Sequence, residues 1–424
     1  MSRSRRPSLA TKGLLCCVLF LAVVAQEGSA QPSLALDRLG QAGADGLARI
    51  WRRALGSGYS GIAVAEGRAI TMFSDGESDW VVALEVANGQ EVWRRSLGPT
   101  FRGSGGSENG PSSTPVIAGD TAYALGPHGD LLALRLEDGG VRWSLEIDRV
   151  VNARMPLWGF ATTPVVEGDL IIVQTGGPQP FAVSAFSRVD GSLRWSAAAG
   201  PMGYQSPTVL TLAGVRQVAV VSNEDVMGLV PSTGDRLWRH RYGQRDFEGV
   251  SRVLQVAPDS FLLTANSNGS WWSEPVSLYR LLGKGGSGGV EKVWTSRFLK
   301  NSYAVPAVLD GHVYGFNGSF LTCVDLETGA LVWRSRPPGG RDLTPVGRTL
   351  LILAPGGSLV AVAASPEGYR ELARVAALAE GGFTPPAVGA GRIFVRNHEE
   401  IAAIGAVVAD TVTAVVEPSP VGER

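Results

Sequence analysis

The sequence predicts an all-β protein, an eight-bladed β-propeller of four-stranded antiparallel blades. Three observations predict it: a repeated turn with a tryptophan, four short apolar runs in each repeat, and complementary partial repeats at the two ends of the chain. The repeated turn has a glycine followed four residues later by tryptophan, at Gly89/Trp93, Gly139/Trp143, Gly191/Trp195, Gly234/Trp238 and Gly329/Trp333. Its spacing of roughly 40–50 residues is typical of a β-array.

Each repeat contains four short runs that are typical of strands. In the second repeat they are residues 115–117, 121–125, 131–136 and 141–145, separated by Gly-Asp, His-Gly and Gly-Gly. Short runs rich in Val, Ile, Leu and Tyr with such breakers predict an antiparallel meander. The repeated glycine suits a hairpin residue at positive φ, where a Cβ is disfavoured.

One tryptophan falls on the outer strand of most repeats. We interpret this residue as a docking wedge between neighbouring blades, because truncating a buried aromatic side chain typically costs about 3–5 kcal/mol. The fifth repeat is stretched by residues 283–289. The predicted docking residues are Trp51, Trp93, Trp143, Trp195, Trp238, Trp294 and Trp333.

The two ends of the chain complete the ring. Residues 343–377 form a degenerate seventh unit with Leu372 near the tryptophan position, and residues 383–406 supply three strands without an outer one. Residues 48–52 are an outer strand without its first three. Pairing the N-terminal outer strand with the C-terminal strands closes an eighth blade and protects the sheet edges. We therefore expect Trp51 in the sheet of the C-terminal strands; seven blades would result if 343–377 were not a blade.

The repeats resemble a known family. Residues 83–93 (ALEVANGQEVW) and 324–333 (VDLETGALVW) are similar to the repeat of the pyrroloquinoline-quinone (PQQ)-like propellers. The resemblance covers residues 47–406. It implies the propeller fold, but it does not select an activity, because the superfamily holds both PQQ-dependent dehydrogenases and the non-catalytic BamB-type outer-membrane assembly factors.

The N-terminal thirty residues have the pattern of a bacterial signal peptide. Four basic residues precede an apolar run over 13–25, and Gly28-Ser29-Ala30 matches a cleavage site. The predicted organisation is therefore signal peptide 1–30, linker 31–46, propeller 47–406 and flexible tail 407–424. This predicts a periplasmic or secreted protein with no stable membrane span after cleavage, and Arg5-Arg6 leaves open the twin-arginine export route.

Cysteine usage and charge narrow the class further. Cys16 and Cys17 lie in the signal peptide, so the mature chain keeps only Cys323, which is expected to be a buried and inert thiol. No cysteine follows the apolar run, so a lipid-modified N-terminus is not expected, in contrast to BamB. Removing four basic residues and Glu27 from 38 basic and 39 acidic ones leaves 34 and 38, a net charge of −4. Without a basic tract the sequence does not predict nucleic-acid binding, and we expect a monomer.

Two loops carry polar and aromatic residues that are less generic than the blades. In a propeller the loop before an inner strand opens on the face where ligands usually bind. Arginine suits a carboxylate or phosphate, and tryptophan suits stacking on a flat ring or sugar. The candidate residues of an axial funnel are Arg102, Glu108, Asn109, Arg154, Trp158, Gln205, Asn301 and Tyr303.

The sequence leaves three functional hypotheses. The first is an exported, non-enzymatic propeller that binds envelope proteins or a small ligand, with no catalytic residue, metal site or cofactor expected. The second, implied by the resemblance, is a quinoprotein oxidoreductase of alcohols or sugars with PQQ and Ca²⁺. The vicinal cysteine pair of the alcohol dehydrogenases is absent from the mature chain, and its four histidines lie singly, without ligand spacing. The third is a carbohydrate-binding propeller, for which Trp158 and the pair Trp271-Trp272 are the signals.

Overall fold

The computed structural model describes residues 46–103, 108–175, 183–197, 204–222, 224–242, 252–264, 275–300 and 305–406. The predicted signal peptide, the predicted tail and the candidate residues Asn301, Tyr303, Trp271 and Trp272 lie outside these residues. The described chain is nearly all β. Its short segments follow the alternation of apolar runs and Gly-containing turns seen in the sequence, and they form eight antiparallel four-stranded blades in a ring.

The first four blades follow one another along the chain, each from inner to outer strand. Blade 1 contains β2 (Ala63–Ala65), β3 (Arg68–Ser74), β4 (Ser78–Glu85) and β5 (Glu91–Pro99). Blade 2 contains β6 (Val116–Ala118), β7 (Thr121–Leu125), β8 (Asp130–Arg135) and β9 (Val141–Glu146), followed by the short helix α1 (Ile147–Val151). Blade 3 contains β10 (Val165–Glu167), β11 (Leu170–Gln174), β12 (Val183–Ser187) and β13 (Leu193–Ala197). Blade 4 contains β14 (Thr208–Leu212), β15 (Val215–Val221), β16 (Asp225–Leu229) and β17 (Arg236–Arg241).

The next three blades repeat this order. Blade 5 contains β18 (Leu254–Ala257), β19 (Ser260–Thr264), β20 (Pro275–Leu282) and β21 (Gly289–Lys300), with a 3₁₀ turn at Lys284–Gly286. Blade 6 contains β22 (Ala307–Leu309), β23 (His312–Asn317), β24 (Phe320–Asp325) and β25 (Leu331–Ser335). Blade 7, the degenerate unit, contains β26 (Thr344–Val346), β27 (Thr349–Leu353), β28 (Ser358–Ala363) and β29 (Glu371–Ala376). A single parallel bridge between Lys300 and Asn317 joins blades 5 and 6 into one sheet.

The eighth blade is made from both ends of the chain, as predicted. It contains β30 (Ala387–Gly389), β31 (Arg392–Arg396), β32 (Glu400–Ala406) and, as outer strand, β1 (Leu47–Ala54). β1 runs antiparallel to β32, with Trp51 opposite Ala403 and Arg53 opposite Ile401. The predicted closure and the count of eight blades are therefore confirmed.

The hydrophobic core lies mainly between adjacent blades. One cluster, for example, joins Ile70 and Met72 of blade 1 to Ala122 and Leu134 of blade 2. Within the blades a small residue pairs with most outer-strand tryptophans: Ala83 with Trp93, Ala133 with Trp143, Ala185 with Trp195 and Cys323 with Trp333. Cys323 is fully buried, and burial raises the pKa of its thiol to about 11. Each of these pairs is followed by a β-bulge, which bends the outer strand.

The tryptophans contact the next blade in a repeated way. Five rings pack against the glycine of the next blade's outer hairpin; a Cβ added to Gly89, Gly139, Gly191, Gly234 or Gly329 would lie 2.5–2.8 Å from the ring of Trp51, Trp93, Trp143, Trp195 or Trp294. These glycines have φ between 67° and 75°. Trp333 lacks this contact, since a Cβ added to Gly368 of blade 7 would have nothing within 4 Å. The indole Nε1 donates to a carbonyl of the same next blade, at 2.8–2.9 Å, in the pairs Trp51–Val86, Trp93–Leu136, Trp143–Arg188, Trp195–Pro231, Trp294–Leu326 and Trp333–Ser365.

Two other interfaces depart further from this pattern for identifiable reasons. In blade 5 the outer hairpin is replaced by the longer 283–289 loop, so Trp238 packs on Gly286 and donates its indole N–H to the Gln217 side chain of its own blade, 2.5 Å away. In blade 7 the residue at the tryptophan position is Ala373, opposite Ala361, and Leu372 precedes it. Its neighbour, blade 8, has no outer hairpin, because its outer strand β1 precedes blade 1 in the chain and is not joined to β32 by a turn. A tryptophan in blade 7 would therefore have no glycine turn to contact.

Candidate functional site

The connections from each outer strand to the next inner strand lie on one face of the ring, here called the upper face. The Gly–Trp contacts lie near the opposite, lower face, because successive turns of a four-stranded meander alternate between its two ends. Around the axis the inner strands contact each other from blade 8 through blades 1, 2 and 3 to blade 4. We call the described residues that lead into them the axial segments: 58–62, 111–115, 160–164, 204–207, 252–254, 305–306, 340–343 and 382–386.

Hydroxyl groups link the axial segments of the first four blades. The backbone N–H of Gly61 donates to Thr114 Oγ1 at 3.0 Å, and that of Thr114 donates to Thr163 Oγ1 at 3.3 Å. The backbone N–H of Thr163 donates to Ser206 Oγ at 2.8 Å. Blades 2, 3 and 4 thus each offer a hydroxyl acceptor to the blade before them, and these hydrogen bonds fix the spacing of the first four inner strands. The Thr-Pro and Ser-Pro dipeptides at these positions were a sequence signal that the repeat analysis did not use.

The axial segments carry few charges. Within their described residues the charged side chains are Arg252, Arg341 and Asp342. Arg252 is exposed and Asp342 is partly exposed, so water reaches both. Protein nevertheless surrounds them: burial lowers the pKa of Arg252, and burial raises the pKa of Asp342 to about 7 against the opposing effects of the Leu343 N–H and of Arg252. We call the region around Arg252 and Asp342 the axial mouth.

Arg252 and Asp342 influence each other's pKa across this mouth, but the described residues contain no ion pair between them. The Arg252 guanidinium donates a hydrogen bond from Nη2 to Ser206 Oγ, 3.2 Å long. One Asp342 oxygen accepts from the Leu343 N–H at 2.9 Å. Sequence reasoning missed both charges, because neither belongs to a motif and their blades are far apart in the chain.

Gln205, one of the predicted funnel residues, lies beside Ser206 in the axial segment of blade 4. It is fully buried, and neither its amide oxygen nor its amide nitrogen has a hydrogen-bond partner among the described residues. Buried side-chain amides usually satisfy at least one partner. Gln205 therefore has hydrogen-bonding capacity that no described residue uses.

The other candidates from the first loop make contacts close to blade 1. Arg102 is exposed and donates from Nη2 to the Gly76 carbonyl oxygen at 3.3 Å. Asn109 Oδ1 accepts from the Gly103 N–H at 3.0 Å. The backbone N–H of Glu108 donates to the hydroxyl of Tyr59 at 3.1 Å. These contacts order the upper edge of blade 1 and leave the Glu108 side chain exposed.

The second candidate loop follows helix α1 between blades 2 and 3. Arg154 is exposed, whereas Trp158 is half-buried, with its ring centroid 5.3 Å from that of Tyr204 and its backbone N–H on the Tyr204 hydroxyl at 3.0 Å. Trp158 is thereby held next to the axial segment that contains Gln205. The same loop exposes three apolar side chains that sequence reasoning did not single out: Val150, Met155 and Leu157, exposed by 43%, 53% and 59%.

A cluster of aromatic rings lies on the opposite part of the upper face. Tyr59 packs edge-on against His398 at 4.8 Å and against Phe383 at 5.8 Å. The guanidinium of Arg341 lies 4.9 Å from the centroid of the Phe383 ring. Burial lowers the pKa of His398. Arg341 is thus engaged away from Asp342, its neighbour in sequence.

Arg396 is a further residue that the sequence analysis missed. Its side chain is almost fully buried between blades 8 and 1, and burial lowers the pKa of its guanidinium to about 9. No carboxylate among the described residues pairs with it. It donates instead to Thr71 Oγ1 and to three backbone carbonyls of the neighbouring segments, those of Met72, Gly56 and Gly58. Arg396 of blade 8 therefore contacts both blade 1 and the segment between β1 and β2.

The described residues do not fit the quinone cofactor site of the PQQ-dependent enzymes. Asp342 is the single carboxylate of the described axial segments, whereas calcium takes six to eight oxygen ligands. The described part of the chain contains no group of three or more His, Cys, Asp or Glu residues arranged to hold a metal ion. We therefore derive no oxidation step from this site. Within the same residues, no helix has the length and apolar character needed to cross a membrane.

Comparison with known proteins shows the family. The sequence family described as outer membrane protein assembly factor BamB matches residues 43–155 and 77–268, which together are more than half of the 424-residue chain. The chain is 24% identical over 305 residues to the outer membrane protein assembly factor BamB of Burkholderia pseudomallei (strain K96243). That alignment covers 70% of this chain and 71% of the relative.

Two solved structures share the fold. The crystal structure of BamB from Moraxella catarrhalis superimposes with a TM-score of 0.62 at 16% identity, covering 85% of this chain and 99% of that one. The quinohemoprotein alcohol dehydrogenase of Pseudomonas putida HK5 gives a TM-score of 0.58 at 12% identity, covering 90% and 79%. At these identities the two structures support the fold alone. Because the family match extends over more than half of its length, this eight-bladed propeller belongs to the BamB-type family of PQQ-like proteins.

Proposed function

We propose that this chain is an exported, non-enzymatic scaffold that takes part in outer-membrane protein assembly by binding an envelope protein on its upper face. Family membership supports the assembly role, since the relatives are described by it. The N-terminal pattern of basic residues, apolar run and small residues supports export. The observation that carries the binding surface is the exposed apolar loop between blades 2 and 3.

We call Val150, Met155, Leu157 and the half-buried Trp158 the upper apolar patch. Its first three members are each more than two-fifths exposed, and they belong to one ten-residue stretch. Exposed apolar residues that occur singly are normal on a protein surface, whereas a group of them marks an interaction site. Aromatic residues and methionine are also enriched at the centres of protein–protein interfaces.

The surroundings of the patch suit a protein partner. Trp158 is held by Tyr204, so it would lose little conformational freedom on binding. Arg154, next to Met155 in the chain, is exposed. The Arg149 side chain of α1 is 76% exposed and pairs with Glu146. An apolar centre with a charged rim is the usual anatomy of a non-obligate interface.

The experiment compares two double substitutions. Met155→Glu/Leu157→Glu places two charges in the patch, and Val141→Glu/Val189→Glu places two at exposed valines of blades 2 and 3 outside it, 50% and 80% exposed. Each tagged protein is expressed in its host, and the recovery of the outer-membrane assembly machinery is measured together with the melting temperature. We expect the patch variant to lose the machinery and the control to retain it, with similar melting temperatures. Equal recovery by both variants would contradict the proposed surface.

A second measurement tests export. Fractionation of host cells should place the mature protein in the periplasmic fraction, with an N-terminus close to Gln31. Recovery of the uncleaved chain in the cytoplasm would remove the basis for an envelope role, whatever the patch binds.

A further inference from the structure

We propose that Arg252, Ser206 and Asp342 form a carboxylate-binding site in the axial mouth of the propeller. This inference does not rest on the proposed scaffold function, because it concerns the axial segments instead of the upper apolar patch, and a small chemical group instead of a protein surface.

The described residues do not use all the donors at this mouth. A guanidinium has five N–H donors in a planar fork, and among the described residues Arg252 donates to one side-chain acceptor, Ser206 Oγ. Ser206 Oγ accepts two hydrogen bonds, from Arg252 and from the Thr163 N–H, which occupy both its lone pairs. Its own O–H hydrogen remains to donate and has no acceptor among the described residues. A carboxylate can accept from a guanidinium fork and a hydroxyl together.

The mouth can be reached, and its surroundings favour a charged ligand. Arg252 is exposed and Asp342 partly so, yet burial shifts the pKa of both. Water is thus present but limited, and a charge-assisted hydrogen bond is stronger there than on an open surface. Gln205, fully buried beside Ser206 with both amide atoms unpaired among the described residues, shows that the polar capacity of this region exceeds its internal contacts.

Asp342 makes the site dependent on pH. With a pKa of about 7 it changes from a neutral donor to a repelling anion as the pH rises through neutrality. Arg252 is the charged group that influences the pKa of Asp342. Arg341 is engaged with Phe383 instead. The described axial residues of blades 6 and 8, 305–306 and 382–386, are not titratable. The protonated fraction falls about tenfold between pH 6 and pH 8 for such a pKa. The affinity for a carboxylate should fall by about the same factor.

The test is isothermal titration calorimetry of the mature protein with three probes. Acetyl-Gly-Glu-Gly-amide presents a carboxylate on a peptide, acetyl-Gly-Gln-Gly-amide is its neutral match, and glutarate is a free small acid. We expect at least one acid to bind and the glutamine peptide not to bind. Binding of the peptide alone would assign the site to a peptide side chain, and binding of glutarate to a soluble metabolite. Failure of both acids, or equal binding of the two peptides, would overturn the proposal.

Variants locate the site. Arg252→Gln should weaken acid binding about ten- to hundredfold, the usual effect of losing hydrogen bonds to a charged group, and Arg252→Lys should be intermediate because it keeps the charge without the fork. Arg341→Gln, the adjacent exposed arginine, is the matched control and should bind as the wild type. Asp342→Asn should bind equally at pH 6 and pH 8. Melting curves confirm that each variant is folded, and unchanged binding by folded Arg252→Gln would refute the assignment.

Discussion

The contact between Trp93 and Gly139 allows a sharp test of how neighbouring blades are held together. A Cβ added to Gly139 would lie 2.6 Å from the Trp93 ring, and the backbone there has φ of 67°. Gly119 of the same blade has φ of 60° with nothing within 4 Å of the added Cβ. Alanine at either position pays about 1–2 kcal/mol for left-handed backbone. Only Gly139→Ala also overpacks a buried aromatic ring, which typically adds about 1–3 kcal/mol.

We therefore expect Gly139→Ala to lower the free energy of unfolding by about 2–5 kcal/mol and Gly119→Ala by about 1–2 kcal/mol. The assay is urea unfolding followed by tryptophan fluorescence and by circular dichroism. In a Trp93→Leu background the ring is absent, so the additional cost of Gly139→Ala should disappear, giving a coupling energy of about 1–3 kcal/mol. Equal destabilisation by the two glycine substitutions, or additivity with Trp93→Leu, would refute the wedge interpretation.

Three further expectations follow from the buried polar groups. Arg396→Met leaves several carbonyl groups without their donor, so it should lower the free energy of unfolding in urea by about 2–4 kcal/mol. Arg94→Met, at an exposed arginine, should change the free energy of unfolding by less than about 0.5 kcal/mol. Similar effects of the two substitutions would contradict the role of Arg396 at the interface between blades 8 and 1. The Cys323 thiol, buried and with its pKa raised to about 11, should react with a thiol reagent at pH 8 only in denaturant, and rapid labelling of the native protein would be inconsistent with its burial. The pKa of Asp342 is raised in the folded state, so the folded protein binds the Asp342 proton more tightly than the unfolded chain does. The contribution of Asp342 to stability therefore falls as the pH rises from about 4 to about 7, and it stays constant above pH 7. Asp342→Asn should remove that slope in unfolding measured against pH, and an unchanged slope would show that Asp342 is not its source.

Most of the fold could be predicted because its signals are local and repeated. A glycine at positive φ and a tryptophan four residues later report one hairpin, and that hairpin recurs at a nearly constant spacing. Closure of the ring was also predictable. Residues 383–406 supply the first three strands of a blade without its outer strand, and residues 48–52 supply an outer strand without the first three. The exact residue at the tryptophan position of blade 7, Ala373, was not identified, because the bulge that sets the register has no sequence marker.

The axial site was harder to predict for a physical reason. Its residues come from blades 4, 5 and 7, and the distance between blades across a ring is unrelated to their spacing in the chain. Gln205 was selected from its place before an inner strand, but Arg252 and Asp342 were not. Arg396 could have been found by aligning the repeats, since other blades place the apolar residues Met72 and Leu125 at its register position.

The most direct test of the central claim, that the upper face binds the outer-membrane assembly machinery, is site-specific photo-crosslinking in host cells. A photoreactive amino acid is placed at Leu157 in the upper apolar patch or at Val189, which is 80% exposed in the outer hairpin of blade 3. We predict a discrete crosslink to a component of the outer-membrane assembly machinery from position 157 and none from position 189. The same product from both positions, or no product from position 157 in folded protein, would contradict it.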